Sequence, residues 1–335
     1  MREKHIIGTS QEVSRRRFLT ASLGVMVAPG VVAGALAGCD PAGIKVSPPN
    51  PIKPEAKGGP MESIIEAVTL RVGDLDREVR FYQEVPGLEV LQQRQGSVEM
   101  GVAGGPSLLI LEHTPEAAAR HFDEAGLFHI AFRVPHEAAL ADALKRIQGS
   151  GYRLTGASDH QISHALYLND PEGNGLEIYY DRPREEWPVT ADGQIGLATR
   201  RLDLARLMDL EPTEQADRFA QGTDIGHIHL EVTNIDGAQR FYAGLMGLEI
   251  TVDQASVLFV ADQDYHHHIG LNHWNGRSRP AGKNTRGLAA IRVQLPGRSA
   301  EEVARKAQAL GFTVDSQDRD LRLRDGDQIL WEIAA

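Results

Sequence analysis

Two stretches of the chain, 160 positions apart, show the same alternation of apolar and polar residues. Residues 65–72 read IEAVTLRV and residues 225–232 read IGHIHLEV. A period of two is typical of a strand with one buried face. After each stretch comes an amphipathic helical pattern, such as that of 236–246, which contains a Phe-Tyr pair. A Gly-Leu-Glu sequence follows it, at the same distance in both copies. The pattern therefore predicts a strand, a helix and further short strands in each copy.

A second unit repeats in the same way. Residues 126–135, followed by a helical stretch to about residue 148, recur 161 positions later at 287–296. Four related units, two in each half of the chain, predict an N-terminal domain over 62–183 and a C-terminal domain over 222–335. The charged segment 184–221 is predicted to be a partly helical connector between them.

The N-terminus has the pattern of an export signal. Residues 14–20 read SRRRFLT, which matches the twin-arginine motif, and the apolar stretch after it ends in LAGC at Cys39. We therefore expect residues 1–38 to be a twin-arginine signal peptide. Residues 39–61, which include six prolines, are expected to be a tether from a lipid-anchored Cys39 on the extracytoplasmic, periplasmic face. A permanent membrane-spanning helix and a buried, unmodified cysteine are the alternatives.

Composition narrows the chemistry. The formal net charge of −11 argues against a nucleic-acid partner, because phosphates favour basic surfaces. The single cysteine excludes an intrachain disulfide and a thiolate metal cluster. Any metal would therefore be held by histidine and carboxylate side chains.

Several such side chains stand at strand positions that suit metal binding. His227 and His229 are two residues apart, so they share one face of their strand. Residues 265–272 read YHHHIGLN, where alternation separates the middle histidine from the other two. Glu332 lies in the apolar sequence ILWEI of 329–333, where a carboxylate is costly unless it is paired or bound to metal. Two imidazoles and one carboxylate are the ligand set of non-heme Fe(II) oxygen chemistry.

Three motifs carry a resemblance to a known family: GHIHLEV at 226–232, YHHHIGLN at 265–272 and DPEGNGLEIY at 170–179. With the repeat, they resemble the vicinal oxygen chelate superfamily, and within it the two-domain ring-cleaving dioxygenases of the bacterial catechol 2,3-dioxygenase type. The resemblance covers about 270 residues. It implies an α+β fold of four βαβββ modules paired into two domains, each an open curled mixed sheet around a metal position.

The resemblance also implies that the metal ligands come from the first and last strands of the modules. On this basis we expect His227, His268 and Glu332 to bind the metal. His268 is preferred over its two histidine neighbours because an offset of 160 aligns it with Leu108, on an inner strand of the first module. Many extradiol enzymes carry a further ligand histidine in the fourth module, where this chain has Ala290.

The N-terminal half holds only part of such a ligand set. His129 and Glu177 occupy ligand-like positions, but Ala67 and Leu108 stand where histidines would be needed. This half is therefore expected to be a degenerate scaffold.

The activity implied by the resemblance is extradiol ring cleavage, with a catechol- or hydroquinone-like aromatic and dioxygen as substrates. Fe(II) is the expected metal and Mn(II) the second candidate. His267, His229 and Tyr265 are the expected catalytic residues, and His266 is a further candidate for the acid–base role. A glyoxalase-type isomerase or lyase, and a non-enzymatic protein that binds a small molecule or metal, are the rival readings. Homo-oligomerisation is left open.

Two other histidines are expected to lie at the surface. His160 and His164 stand in the loop predicted before the strand 165–168.

Overall fold

The computed structural model describes residues 63–190, 195–196, 198–317 and 320–334. The predicted signal peptide (1–38) and the whole predicted tether (39–61) therefore lie outside the described residues. Within the described ranges, no helix is both long enough and apolar enough to cross a membrane.

The first two modules each consist of a strand, a helix and three strands, as predicted. The first comprises β1 (Ile65–Val72), α1 (Leu75–Glu84), β2 (Glu89–Arg94), β3 (Ser97–Gly101) and β4 (Ser107–His113). The second comprises β5 (Gly126–Arg133), α2 (Glu137–Ser150), β6 (Gly156–Asp159), β7 (Ser163–Asn169) and β8 (Gly175–Asp181). A connector follows, with a 3-10 turn (Arg184–Glu186), β9 (Arg200–Arg201) and α3 (Leu204–Met208).

The third and fourth modules repeat this order. The third comprises β10 (Asp224–Glu231), α4 (Ile235–Gln239), a π-helical segment (Arg240–Leu245), β11 (Glu249–Gln254), β12 (Val257–Ala261) and β13 (Ile269–Asn272). The fourth comprises β14 (Gly287–Val293), α5 (Ala300–Ala309), β15 (Val314–Gln317), β16 (Asp320–Arg324) and β17 (Leu330–Ile333). The predicted mixed α+β fold with four βαβββ modules is thus confirmed.

Local sequence explains where the helices begin. The carboxylate of Asp74 accepts a hydrogen bond from the Arg77 backbone N–H and caps α1. Ser299 and Glu302 form a reciprocal capping box at the start of α5. Each cap satisfies backbone donors that a helix leaves unpaired at its first turn.

The modules pair across the two halves of the sequence. Strand β5 of the second module pairs antiparallel with β10 of the third, and β1 of the first pairs antiparallel with β14 of the fourth. The links between modules run side by side, through the bridges Ala118–Thr285 and Glu124–Arg279. One curved sheet face is therefore shared by the second and third modules, and we call this face the cup.

The apolar alternation of β10 divides the core from the cup. Ile228, Leu230 and Val232 are fully or almost fully buried in the main hydrophobic core, as the period of two predicts. The histidines between them, His227 and His229, face the cup on the other side of the strand.

Candidate metal centre

Three side chains meet at the floor of the cup. His129 of β5, Glu177 of β8 and His227 of β10 each offer one donor atom, and these atoms all lie within 4.8 Å of one another. All three residues are buried. Within the described ranges, this is the group of three or more His, Cys, Asp or Glu side chains with that geometry.

The strand register explains why these residues meet. Ala131 of β5 pairs with Glu177 of β8 on one side and with His227 of β10 on the other. His129 lies two residues along β5, on the same face of the sheet. The small side chain of Ala131 therefore leaves room for the donors of its three neighbours to converge.

The donor geometry fits a bound metal ion. Nε2 of His129 is 3.0 Å, and Nε2 of His227 is 3.1 Å, from the same oxygen, Oε2 of Glu177. Ligands about 2.1 Å from one ion and at right angles to each other would be about 3 Å apart. Nε2 of His129 is buried and makes no aligned hydrogen bond to a described residue. Its short distance to Oε2 of Glu177 is therefore the distance expected between two ligands of one metal ion.

The protonation states also suit metal binding. Burial lowers the pKa of His227 to about 4, although Glu177 opposes that shift. Burial opposes the ionisation of Glu177, but His227 and His129 outweigh it and hold the pKa of this carboxyl well below its usual range. At neutral pH the site therefore offers a neutral imidazole at His227 and a carboxylate at Glu177, the forms in which these side chains ligate metals.

Only His227 of the expected triad joins this group. Glu332 lies on β17, where Oε1 pairs with Nη2 of Arg322 at 2.7 Å. Nδ1 of His268 accepts a hydrogen bond from the Asp262 backbone N–H at 3.1 Å. The structure thus corrects the expectation that His268 and Glu332 converge on His227 within one half of the chain.

The equivalent strand positions in the first and fourth modules carry different residues around Glu332. There Arg292 of β14 pairs with Glu332 of β17 and with Ala67 of β1. Arg292 therefore takes the place that Ala131 has in the cup, and Ala67 takes the place of His227. Its guanidinium binds Glu66 (Nε–Oε2, 3.0 Å) and Asp320 (Nη2–Oδ2, 2.9 Å).

His267 lies beside the donor group, contrary to the alternation argument. Its ring centroid is 4.3 Å from that of His227. Strand β13 begins only at Ile269, and Gln263 and Asp264 adopt positive φ before it. The histidine run is therefore not extended, and strict alternation does not apply to it.

Two further histidines of the cup are held uncharged. Burial and the neighbouring imidazoles lower the pKa of His267 and of His229 well below the usual range. The His229 ring centroid is 5.0 Å from that of His129, and its Nε2 has no hydrogen-bond partner among the described residues. Both neutral imidazoles flank the donor group, so they can accept or donate a proton there.

Aromatic rings form the walls of the cup. Phe259 stacks on His267, with ring centroids 4.3 Å apart and planes 20° apart. Phe128 and Trp274 pack edge-on to His229, at 5.3 and 5.4 Å between centroids. The side chain of Trp274 stays half exposed. The cup is therefore lined by flat apolar surfaces and opens on the Trp274 side.

Tyr265 lies behind the cup, in a buried polar network. Its hydroxyl donates to Oδ2 of Asp181 at 2.6 Å and is 2.6 Å from the hydroxyl of Tyr179. Gly226 gives this network its space, because a Cβ there would lie 1.7 Å from the Tyr179 oxygen. Gly226 also falls at a register shift between β10 and β5, which explains a glycine directly before His227.

His160 and His164 were expected at the surface, but both are largely covered. Nε2 of His160 is 2.9 Å from the Tyr167 hydroxyl, and Tyr167 lies opposite Glu177 in the pairing of β7 with β8. His164 belongs to β7, and its Nδ1 is 2.7 Å from Oε1 of Glu137. This place of Tyr167 beside the donor group was not predicted from the sequence.

Comparisons with known proteins agree with this architecture. Residues 64–178 match the Glyoxalase/Bleomycin resistance protein/Dioxygenase superfamily. A catechol-2,3-dioxygenase of Bacillus subtilis (strain 168) is 36% identical over 261 residues, which are 76% of this chain and 91% of that protein. A lactoylglutathione lyase of Haemophilus influenzae is 28% identical over 116 residues, which are 32% of this chain and 86% of that protein.

Solved structures share the fold. The crystal structure of a Bacillus subtilis protein described as a candidate dioxygenase matches with a TM-score of 0.57 and 19% identity, over 82% of this chain and 85% of that one. Glyoxalase I from Zea mays matches with a TM-score of 0.51 and 17% identity, over 80% and 91%. The extent of the match to the 36% identical relative decides the assignment: the chain belongs to the glyoxalase/bleomycin resistance protein/dioxygenase superfamily.

Proposed function

We propose that this protein is a metal-dependent extradiol dioxygenase, which cleaves the ring of small catechol- or hydroquinone-like aromatics with dioxygen. The observation that carries the proposal is the donor set of His129, His227 and Glu177 at the floor of an aromatic-walled cup. Two imidazoles and one carboxylate with open positions are typical of non-heme Fe(II) oxygenases. The similarity to a protein named catechol-2,3-dioxygenase supports the same chemistry.

The three donors would hold Fe(II), or Mn(II) as the second candidate. When bound, the metal would supply Lewis acidity toward the diol oxygens and the redox capacity to activate dioxygen. Tyr167 lies opposite Glu177 in the pairing of β7 with β8, so its hydroxyl would help to orient the carboxylate, as neighbours of metal ligands commonly do.

The remaining residues of the cup would position the substrate and move its protons. Phe128, Phe259 and Trp274 offer flat apolar surfaces that suit an aromatic ring and exclude water from it. His267 and His229 are neutral beside the donor group. A neutral imidazole can accept a phenolic proton, and this kind of catalysis contributes roughly 10²- to 10⁴-fold.

Oxygen consumption tests the proposal directly. Iron-reconstituted protein is offered a panel of catechols and hydroquinones, and the products are analysed by mass spectrometry under ¹⁸O₂. We expect one dioxygen consumed per ring opened, with both labelled atoms in the product, and no turnover by Glu177→Ala. Glu332→Ala is the matched control, since it removes a glutamate at the equivalent strand position and should keep the activity.

Two results would contradict the proposal. Isomerase activity of a Ni(II) or Zn(II) form, without oxygen uptake, would point to a glyoxalase-type enzyme. Tight binding of an aromatic without turnover would point to a binding protein.

We also propose that the protein is exported by the twin-arginine route and anchored by a lipid at Cys39. The support is the order of the motifs in the sequence, with SRRRFLT followed by LAGC.

A further inference from the structure

A chain of hydrogen bonds leads from the cup to a buried carboxylate. Nδ1 of His267 is 2.8 Å from Nδ1 of His266. Nε2 of His266 is 3.0 Å from Oδ1 of Asp181. His266 and His267 are both buried, so water does not replace these contacts. The three residues therefore form one continuous relay, and we call it the His267–His266–Asp181 chain.

The far end of the chain is surrounded by donors. The Tyr265 hydroxyl donates to Oδ2 of Asp181 at 2.6 Å, and Nη1 of Arg133 lies 3.5 Å from the same oxygen. Burial opposes the ionisation of Asp181, but His266 and Arg133 outweigh it and lower the pKa of this carboxyl below its usual range. Asp181 is therefore a carboxylate, which only accepts hydrogen bonds.

The direction of each hydrogen bond follows from this carboxylate. Because Asp181 only accepts, Nε2 of His266 must carry a proton. In its neutral form His266 has one N–H, so with Nε2 protonated its Nδ1 is the acceptor, and Nδ1 of His267 donates to it. Nε2 of His267 is then left bare, with its lone pair available to a ligand in the cup.

We propose that Asp181 and His266 are positioning residues that lock His267 in the Nδ1–H tautomer, so that its bare Nε2 accepts the proton of a bound diol. The catalytic part of this inference rests on the proposed function, whereas the tautomer does not. In the step itself, the diol O–H bond breaks and an N–H bond forms at Nε2 of His267. The imidazolium so formed already donates through Nδ1 to His266.

Asp181→Asn should reverse the donor and acceptor roles along the His267–His266–Asp181 chain, because asparagine has the same shape as aspartate but can donate. Arg133 can only donate and lies on the Oδ2 side, as does the Tyr265 hydroxyl. These donors keep the amide oxygen on their side, so the amide NH₂ faces Nε2 of His266. His266 must then accept at Nε2 and donate from Nδ1, which forces His267 to accept at Nδ1 and to carry its proton on Nε2.

The tautomers are read from long-range ¹H–¹⁵N spectra of full-length, histidine-labelled protein, measured without metal and with Zn(II). The His267 signals are those that disappear in His267→Gln. We expect a protonated Nδ1 and a bare Nε2 in the wild type, and the reverse in Asp181→Asn. Asp123→Asn is the matched control, because Asp123 contacts the exposed His121 elsewhere and should leave His267 unchanged.

A bare Nδ1 or a doubly protonated His266 in the wild type would overturn the proposal, and so would an unchanged tautomer in Asp181→Asn. If Asp181→Asn does not fold, His266→Phe serves in its place. This change removes the acceptor and should let His267 populate both tautomers, so a single fixed tautomer there would also contradict the proposal.

Turnover separates this inference from the proposed function. With a diol substrate, we expect Asp181→Asn to lower kcat by about 100-fold or more and to change KM by less than about threefold, because general base catalysis is lost while the walls of the cup remain. An unchanged kcat despite a reversed tautomer would overturn the catalytic part. If no diol is cleaved by the wild type, the proposed function fails, while the spectra still decide the tautomer.

Discussion

Gly226→Ala should destabilise the fold through the network behind the cup. The new Cβ would lie 1.7 Å from the hydroxyl oxygen of Tyr179, 2.8 Å from its Cζ and 3.1 Å from Cβ of Arg133. Tyr179 is fully buried and cannot retreat without losing its contact with Tyr265. Overpacking of this kind costs about 1–3 kcal/mol, and a buried hydroxyl left without its partner costs about 1–3 kcal/mol more.

We therefore expect Gly226→Ala to lower the free energy of unfolding by about 2–6 kcal/mol. Guanidinium denaturation followed by tryptophan fluorescence measures this change, since Trp187 packs near Tyr265. Gly149→Ala is the control: it lies in α2 with nothing within 4 Å of the new Cβ, and it should stabilise the helix by about 0.5 kcal/mol. If Gly226→Ala is as stable as the wild type, the Tyr179–Tyr265 network cannot lie where we describe it.

Three further predictions concern pH, substrate and location. Burial, reinforced by the charge of Asp170, raises the pKa of Glu78 from 4.5 to about 9. Between these two pKa values the folded state holds a proton that the unfolded state has released. The free energy of unfolding should therefore fall as the pH rises from about 5 to 8. Glu78→Gln should flatten this dependence in urea denaturation and be more stable than the wild type by about 3 kcal/mol at pH 7; equal pH slopes for the two proteins would contradict this prediction. Trp274→Ala should raise KM for aromatic diols about tenfold and leave metal content unchanged, because it removes one ring from the wall of the cup; an unaltered KM would place the substrate elsewhere. Mass spectrometry of the membrane fraction should find an acylated N-terminal Cys39, and an intact N-terminus would contradict this.

The periodicity of the sequence was sufficient to predict the elements of each module, but not to predict which modules pair. The alternation of 225–232 correctly placed Ile228 in the core and His227 on the opposite face. The first strands of the four modules share the same kind of pattern, so nothing local distinguishes β14 from β5 as the neighbour of β10. Pairing between distant strands is decided by the packing of whole modules, which no short segment encodes.

The candidate site shows the same limit. His129 and Glu177 were visible as ligand-like residues in the sequence, but they lacked a third ligand as long as each half of the chain was considered alone. His227 supplies it from the other half. Alternation separated His267 from its two histidine neighbours, but positive φ at Gln263 and Asp264 interrupts the extended backbone before β13, and His267 lies beside the donor group.

We infer that His129, Glu177 and His227 hold one metal ion between the second and third modules. Metal content per chain, measured by inductively coupled plasma mass spectrometry on folded protein, tests it most directly. We expect about one metal per chain in the wild type and in Glu332→Ala, and less than about 0.2 in His129→Ala, because two ligands do not form a tight site. A metal content near one in His129→Ala, or its loss in Glu332→Ala, would refute this assignment and place the metal in the fourth module instead.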